Sequence, residues 1–275
     1  MKTLKKVIQL ILFFNFHAVL AFENLGSTSA GLGGAGFGAI NATDGMFNNP
    51  ASIALYERKS AAISSANKGF RVSFVDNGED AMFPAGIGYH QGEVANIKTK
   101  AVHLVLAKNI ENRFSFGVNA HFQDIKIEQN ENTYKQTLLD AATLVKVNSW
   151  LTLGLVYKNR PLADTDLPDS IDYNPILGFG LEMIYPQLVN IRFDTESAQN
   201  ISLQQKQNYK IGLELLLSDW FIGRIGYQNN NVLSQNYLTL GAGFGGSQFG
   251  LHYAYVKESN FEKDTYHSVD LAVPF

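Results

Sequence analysis

The chain contains no cysteine. That excludes a disulfide framework, a thiolate nucleophile and a thiolate metal site. Charged residues make up only 17% and proline only 7 of 275 positions, a low charge against the ~25% usual in soluble domains. After residue 21 no run approaches the ~20 apolar residues that a membrane-crossing helix needs. The histidines show no H-x-x-x-H spacing, and no serine sits in G-x-S-x-G, so neither a zinc pair nor a nucleophile elbow can be drawn. The expectation is a non-enzyme with no catalytic, cofactor-binding or metal site.

What is present points elsewhere. Hydrophobic residues reach 45%, with 19 Phe, 12 Tyr and 24 Gly. The chain opens MKTLKKVIQLILFFNFHAVLAFEN, with Lys2, Lys5 and Lys6 before an apolar run from Val7 to Leu20 and small residues at Val19-Leu20-Ala21. This reads as a secretory signal peptide over residues 1–21. The rest keeps 19 of the 22 basic residues against 25 acidic ones, a formal charge of −6. That balance predicts no nucleic-acid partner.

An exported chain rich in aromatics invites a test for strand periodicity. In RFSFGVNAHFQ (113–123), Phe114, Phe116, Val118, Ala120 and Phe122 share one face, and Arg113, Ser115, Gly117, Asn119, His121 and Gln123 share the other. Period two is the signature of a strand. Fourteen segments show it, from 58–66 through a third at 82–90 to a last at 265–275. Most are close to the ~9–11 residues a tilted strand needs to cross a bilayer, and the number is even, as in bacterial barrels. From the third segment onward, long connections (91–99, 128–133, 159–174, 195–206, 229–236, 258–265) alternate with tight turns near 109–111, 148–149, 186, 218–219 and 246–247. Outer-membrane barrels have short internal turns and long external loops. The fold class expected is all-β: a transmembrane antiparallel barrel of about fourteen strands over 58–275 in a bacterial outer membrane. The terminal SVDLAVPF, ending on Phe275, resembles the signal that barrel assembly machinery recognises.

Residues 22–57 lack period two. Within them Gly31-Leu-Gly-Gly-Ala-Gly36 matches the dinucleotide spacing G-x-G-x-x-G, but no strand precedes it and no βαβ unit follows, so the nucleotide reading fails on context. Glycines here suit close backbone packing instead. The stretch with Gly33, Gly34, Gly36, then Asp44, then Asn49-Pro50-Ala51, before fourteen strands, resembles the long-chain fatty-acid transporter superfamily (FadL-like), which includes PorV-like secretion barrels. The resemblance implies that residues 22–57 form a plug, and that small hydrophobic molecules pass sideways through a kink in the third strand. The candidates for that kink are Pro84 and Gly86, in AMFPAGIGYH. It also leaves open an accessory barrel that docks a protein partner. The loops are short for a fatty-acid transporter with a large external binding site.

If the apolar parity faces lipid, Glu182, Arg192, Glu214 and Arg224 face the lumen across two tight turns. They read either as a polar path or plug latch, or as ion pairs that line a wet lumen. His103, His121 and His252 share lumen parity, while His267 shares that of Leu271.

Overall fold

The computed structural model describes residues 26–41, 44–67, 69–94, 97–127, 132–163, 175–186, 188–198, 207–231, 234–259 and 265–275. The expected signal peptide, residues 1–21, lies outside the described residues, as do residues 22–25 of the expected plug.

Fourteen strands form one closed barrel. They are β1 (Ser60–Ala66), β2 (Gly69–Asp76), β3 (Ala85–Val94), β4 (Ile97–Ile110), β5 (Phe114–Ile127), β6 (Thr133–Lys146), β7 (Leu151–Pro161), β8 (Ile176–Tyr185), β9 (Val189–Ala198), β10 (Gln207–Leu216), β11 (Phe221–Asn230), β12 (Gln235–Gly245), β13 (Gly250–Glu258) and β14 (Thr265–Pro274). Each pairs antiparallel with its chain neighbours, and β1 pairs with β14 from Ser60↔Pro274 to Ala66↔Ser268. Phe275 extends this closure through its N–H, which donates to the Lys59 carbonyl at 2.9 Å. Its ring lies 6.0 Å from that of Phe74.

The barrel is apolar outside and polar inside. Along β5, Phe114, Phe116, Val118 and Phe122 are exposed, while Ser115, Asn119, His121 and Gln123 are buried. The same inversion holds around the wall, where Ile63, Ile87, Leu104, Leu155, Ile211 and Leu271 are exposed and Arg71, His90, Asp140, Glu182, Asp194 and Gln228 are buried. In water such an exterior would be untenable; in hydrocarbon it is the stable arrangement, because closure leaves no unpaired strand edge. Exposed Trp150, Tyr185, Trp220 and Phe221 stand near the short turns, and exposed Tyr209 and Tyr227 toward the other end. These are the two interfacial girdles of a membrane barrel. The end with short turns and the C-terminus is therefore internal, and the end with long connections external.

Two expectations from the sequence change. The stretch 91–99, expected as a long connection, is mostly strand: β3 runs to Val94, β4 begins at Ile97, and only residues 95–96 lie between them. Alternation continues there with its chemistry reversed. Ile97 and Thr99 are buried inside, while Lys98 and Lys100 are exposed outside. The third strand begins at Ala85, so Pro84 stands before it and not within it. Proline has no N–H for a ladder, which makes it a natural strand boundary. Gly86 lies in regular pairing, opposite Val75 and Val105.

The described part of the N-terminal segment lies inside the barrel. It comprises α1 (Ser27–Gly31), α2 (Gly45–Asn48) and a 3₁₀ turn at Pro50–Leu55. Leu32, Ala35, Met46, Ala51 and Ile53 are wholly buried. Met46, Phe47, Ile53 and Ala54 pack on Val75, Val105 and Ala107 of the wall.

The lipid-facing assignment is testable. Leu104, exposed in the middle of β4, should tolerate charge badly: Leu104→Arg should cost about 2–4 kcal/mol, the penalty for a cation near the bilayer midplane. Lys100→Arg, at the external end of the same strand, should stay within about 0.5 kcal/mol, as surface substitutions do. Reversible denaturant unfolding from lipid vesicles measures both; equal effects would refute the assignment.

Candidate functional site

The luminal segment is held mainly through its backbone. After α1, Gly33 and Gly34 adopt φ of +67° and +79°, a left-handed reversal open to glycine at little cost. Any side chain on Gly33 would also run into the backbone of Tyr227. The Gly33 N–H donates to Thr239 Oγ1 at 2.9 Å, and that hydroxyl donates to the Gly31 carbonyl at 3.0 Å. The N–H groups of Gly36 and Phe37 both donate to Asp194 Oδ2, at 2.7 and 2.9 Å. A phosphate loop would offer such amides to a nucleotide; here β9 and β12 already occupy them.

Further ties follow. Asn49 Oδ1 accepts from the Ala51 N–H at 3.0 Å and so caps the 3₁₀ turn that starts at Pro50. Its amide nitrogen donates to the carbonyls of Phe37 (2.7 Å) and of Thr143 on β6 (3.2 Å). Asp44 accepts from the Ser29 N–H and hydroxyl, both at 3.0 Å, and pairs with Arg71 of β2. Burial works to raise the Asp44 carboxyl, but the adjacent Arg71 charge and the Ser29 donors outweigh it and hold it below its ordinary 3.8. Asp270 of β14 accepts from the Ser27 N–H at 2.6 Å. Lys158 of β7 donates to the Phe47 carbonyl at 2.8 Å. Next to Lys158 the β6–β7 register slips between Leu139 and Ala141, and Asn159 takes φ +60°. This bulge brings the Asn159 N–H to Asp140 Oδ1 at 2.8 Å.

The four lumen-facing charges form two directly opposed pairs. Arg192 Nε meets Glu182 Oε1, and Arg224 Nε meets Glu214 Oε2, each at 2.7 Å. All four side chains are buried. Asn190 also donates to Glu214, at 2.8 Å. These groups sit in the wall, while the ties to the luminal segment are made by Arg71, Lys158, Asp194, Thr239 and Asp270, which sequence reasoning did not single out. Inward parity is their only signal, since most partners lie more than a hundred residues away in the chain.

A histidine row lies beside Phe47. His103 stacks on His121 with centroids 5.0 Å apart, and the edge contact of His103 with Phe47 is 4.9 Å. Asn119 donates to Asp140 Oδ2 at 2.9 Å, which fixes its amide orientation, so its nitrogen also donates to His103 Nδ1 at 3.1 Å. Neutral His103 then carries its proton on Nε2 and donates to His90 Nδ1 at 2.9 Å.

The β3–β4 ladder is cut short before β4 ends. Between β2 and β3, residues 77–84 form no strand. Asp76 and Asn77 turn the chain by accepting from the N–H groups of Gly78 and Glu79. The β3–β4 ladder stops at Ala85↔Leu106. One bond continues it, from the Ala107 N–H to the Pro84 carbonyl at 3.0 Å, and Pro84 has no N–H to return. Met82 and Phe83 are exposed there. Outside this seam lies a groove of about 580 Å³, lined by Phe83, Leu106, Phe116, Val118, Leu155 and others. Inside it, the backbone of Pro50 and Ala51 presses against Gly117 so closely that a Cβ there would clash.

No protein-family model matches the chain, and no curated protein matches it in sequence. Solved structures do match. The CymD monoaromatic hydrocarbon channel aligns with TM-score 0.66 at 12% identity, over 91% of this chain and 97% of that one. The P. putida toluene transporter TodX gives 0.67 at 9%, over 92% and 99%. A Pseudomonas aeruginosa FadL homologue gives 0.60 at 10%, over 91% and 98%. The chain thus has the fold of the FadL-like hydrocarbon-transporter barrels.

The backbone ties yield a local test. Asp194→Ala should leave the Gly36 and Phe37 amides without their acceptor, a loss on the order of 1–3 kcal/mol. Hydrogen exchange at those two amides should then rise by about fivefold to a hundredfold, since 1.4 kcal/mol is a factor of ten, with β10–β14 amides unchanged. Unchanged exchange at Gly36 and Phe37 would show that the carboxylate does not hold the segment.

Proposed function

We propose that this is a bacterial outer-membrane barrel that passes small hydrophobic molecules inward, passively, with the segment 22–57 as its plug. The observation that carries the reading is the β3–β4 seam. It is the place where the ladder is released by Pro84, and both sides of the wall are apolar there: Met46, Ile53 and Ala54 inside, Phe83, Leu106 and Phe116 outside. A hydrophobic molecule leaving sideways would enter bilayer without crossing the internal aqueous layer. The axial route is filled by the plug, whose ties to β2, β7, β9, β12 and β14 favour a plug that stays in place. The neighbours in structure named as hydrocarbon channels and a toluene transporter support a monoaromatic hydrocarbon as the first substrate to try. In this reading the buried Glu182–Arg192 and Glu214–Arg224 pairs stabilise the wall, and Phe275 serves the assembly machinery.

Two measurements test this. Deleting residues 30–51 should convert a closed barrel into a conducting pore in planar bilayers; unchanged conductance would count against the plug. Because the chain has no cysteine, Phe83→Cys and Lys108→Cys can be joined selectively. The Lys108 ammonium lies 5.2 Å from the Phe83 ring, so a short thiol crosslinker should span the seam. Toluene uptake into proteoliposomes should fall severalfold on crosslinking; undiminished uptake would remove the seam as the exit.

A further inference from the structure

The side chain of phenylalanine is a benzene ring with one carbon attached, which is toluene less a hydrogen. One such ring, that of Phe47 in α2, is buried in a socket that β2, β3 and β4 make for it. His103 of β4 meets it in a T-shaped contact, with centroids 4.9 Å apart and planes at 80°. The Arg71 guanidinium of β2, itself paired with Asp44, lies over the ring at 4.5 Å from its centroid. Gly88 of β3 stands opposite His103 in the ladder, and a Cβ there would come within 2.8 Å of the ring. The wall thus gives up a side chain at Gly88, and the ring takes the space. The main chain of Phe47 is fixed separately. Its carbonyl accepts from Lys158 Nζ at 2.8 Å, and its N–H donates to the Asp44 carbonyl at 3.1 Å. A turn about χ1 from one staggered position to another would swing the ring out and break neither bond.

The socket also lies on an uncharged lane. From the external end, the inward residues of β4 are Ile97, Thr99, Ala101, His103, Val105 and Ala107, all buried and none of them Asp, Glu, Lys or Arg. The lane ends at Ala107, whose N–H bonds the Pro84 carbonyl at the seam. Asp140, near it on β6, is answered by Asn119, His121 and the Asn159 N–H. On β8 to β11 the inward residues include Glu182, Arg192, Asp194, Lys210, Glu214 and Arg224. An apolar molecule pressed against those charges would strip them of water at high cost, so the β4 side is the cheaper way through. We propose that Phe47 is a placeholder for the transported molecule: its ring keeps the socket shut, and a single aromatic ring takes the socket when Phe47 turns away, on its way to the seam. His103 and Arg71 then set the specificity. A cation over the face and a T-shaped ring contact both reward a π system. A saturated ring of the same shape fills the socket and gains neither. The inference rests on the transport reading above and narrows its substrate class to flat single rings.

The test uses the full-length barrel in lipid nanodiscs, with isotope-labelled histidines, and takes toluene and methylcyclohexane as probes. In the unaltered chain, toluene should show a nuclear Overhauser contact with the His103 ring and methylcyclohexane none; absence of the toluene contact would overturn the proposal, whatever the variants do. Phe47→Ala empties the socket. Toluene should then bind at least about tenfold more tightly than in the parent, as emptied apolar cavities take up benzene. It should also bind about tenfold more tightly than methylcyclohexane, and equal binding of the two would overturn the specificity. In proteoliposomes Phe47→Ala should raise toluene uptake, and Phe47→Trp should lower it severalfold. Phe37, another buried phenylalanine of the segment, packs on β6 and β7 instead. If Phe37→Ala raised uptake as much as Phe47→Ala, the effect would be general loosening and the placeholder would be refuted. Crosslinking the β3–β4 seam should stop uptake and keep the His103 contact. Uptake stopped by the crosslink with no His103 contact refutes the socket and leaves the seam; a His103 contact with uptake undiminished refutes the seam as the exit and leaves the socket.

Discussion

Hydrocarbon offers no partner for a peptide N–H or C=O, and that constraint shapes everything else in this protein. It is met only when the last strand returns to the first, as β14 does along the whole of β1. Once the sheet is closed, its faces take fixed roles. The outer face must be apolar because it meets lipid, and the inner face must then hold nearly all the buried polarity. The molecule has its hydrophobic surface outside and its ionic network inside.

A polar interior has to be satisfied as carefully as an apolar one has to be packed. Buried carboxylates without partners are costly, and the wall meets this in two ways. Some charges are answered across the ladder, as in Glu182–Arg192 and Glu214–Arg224. Others are answered by the chain that fills the lumen: Asp194 by two backbone amides and Asp270 by one. The luminal segment and the wall thus complete one another's hydrogen bonding. The glycines of residues 31–36 allow this because they let bare backbone approach bare backbone, as at Gly33 against Tyr227.

The strands were legible because lipid and lumen impress opposite chemistries on alternate residues, and β5 shows this without ambiguity. Legibility failed where the membrane stops. The tops of β3 and β4 looked like a loop, since Lys98 and Lys100 occupy positions that lipid would have forced to be apolar. Pro84 reads as part of the third strand because apolar residues flank it; its missing N–H instead marks the strand's start at Ala85. The lumen was the least legible part. Asp194 and Gly36 are 158 residues apart in the chain, and no local pattern announces that a carboxylate will receive two amides from so far away.

The luminal segment also determines how the barrel can deform. Its polar ties radiate to β2, β6, β7, β9, β12 and β14, so it acts like spokes in a hoop and resists flattening of the cross-section along those directions. Against β4 it leans with apolar surface instead, through Met46, Phe47 and Ile53 on Val105 and Ala107. Dispersion contacts resist shear less than directed bonds do. Lateral pressure from the bilayer should therefore be absorbed unevenly, with the give concentrated in the arc around β3 and β4, where the ladder is already cut short. A tube braced by directed bonds on most of its circumference and by dispersion contacts alone on one arc has its softest place fixed by its own stiffness.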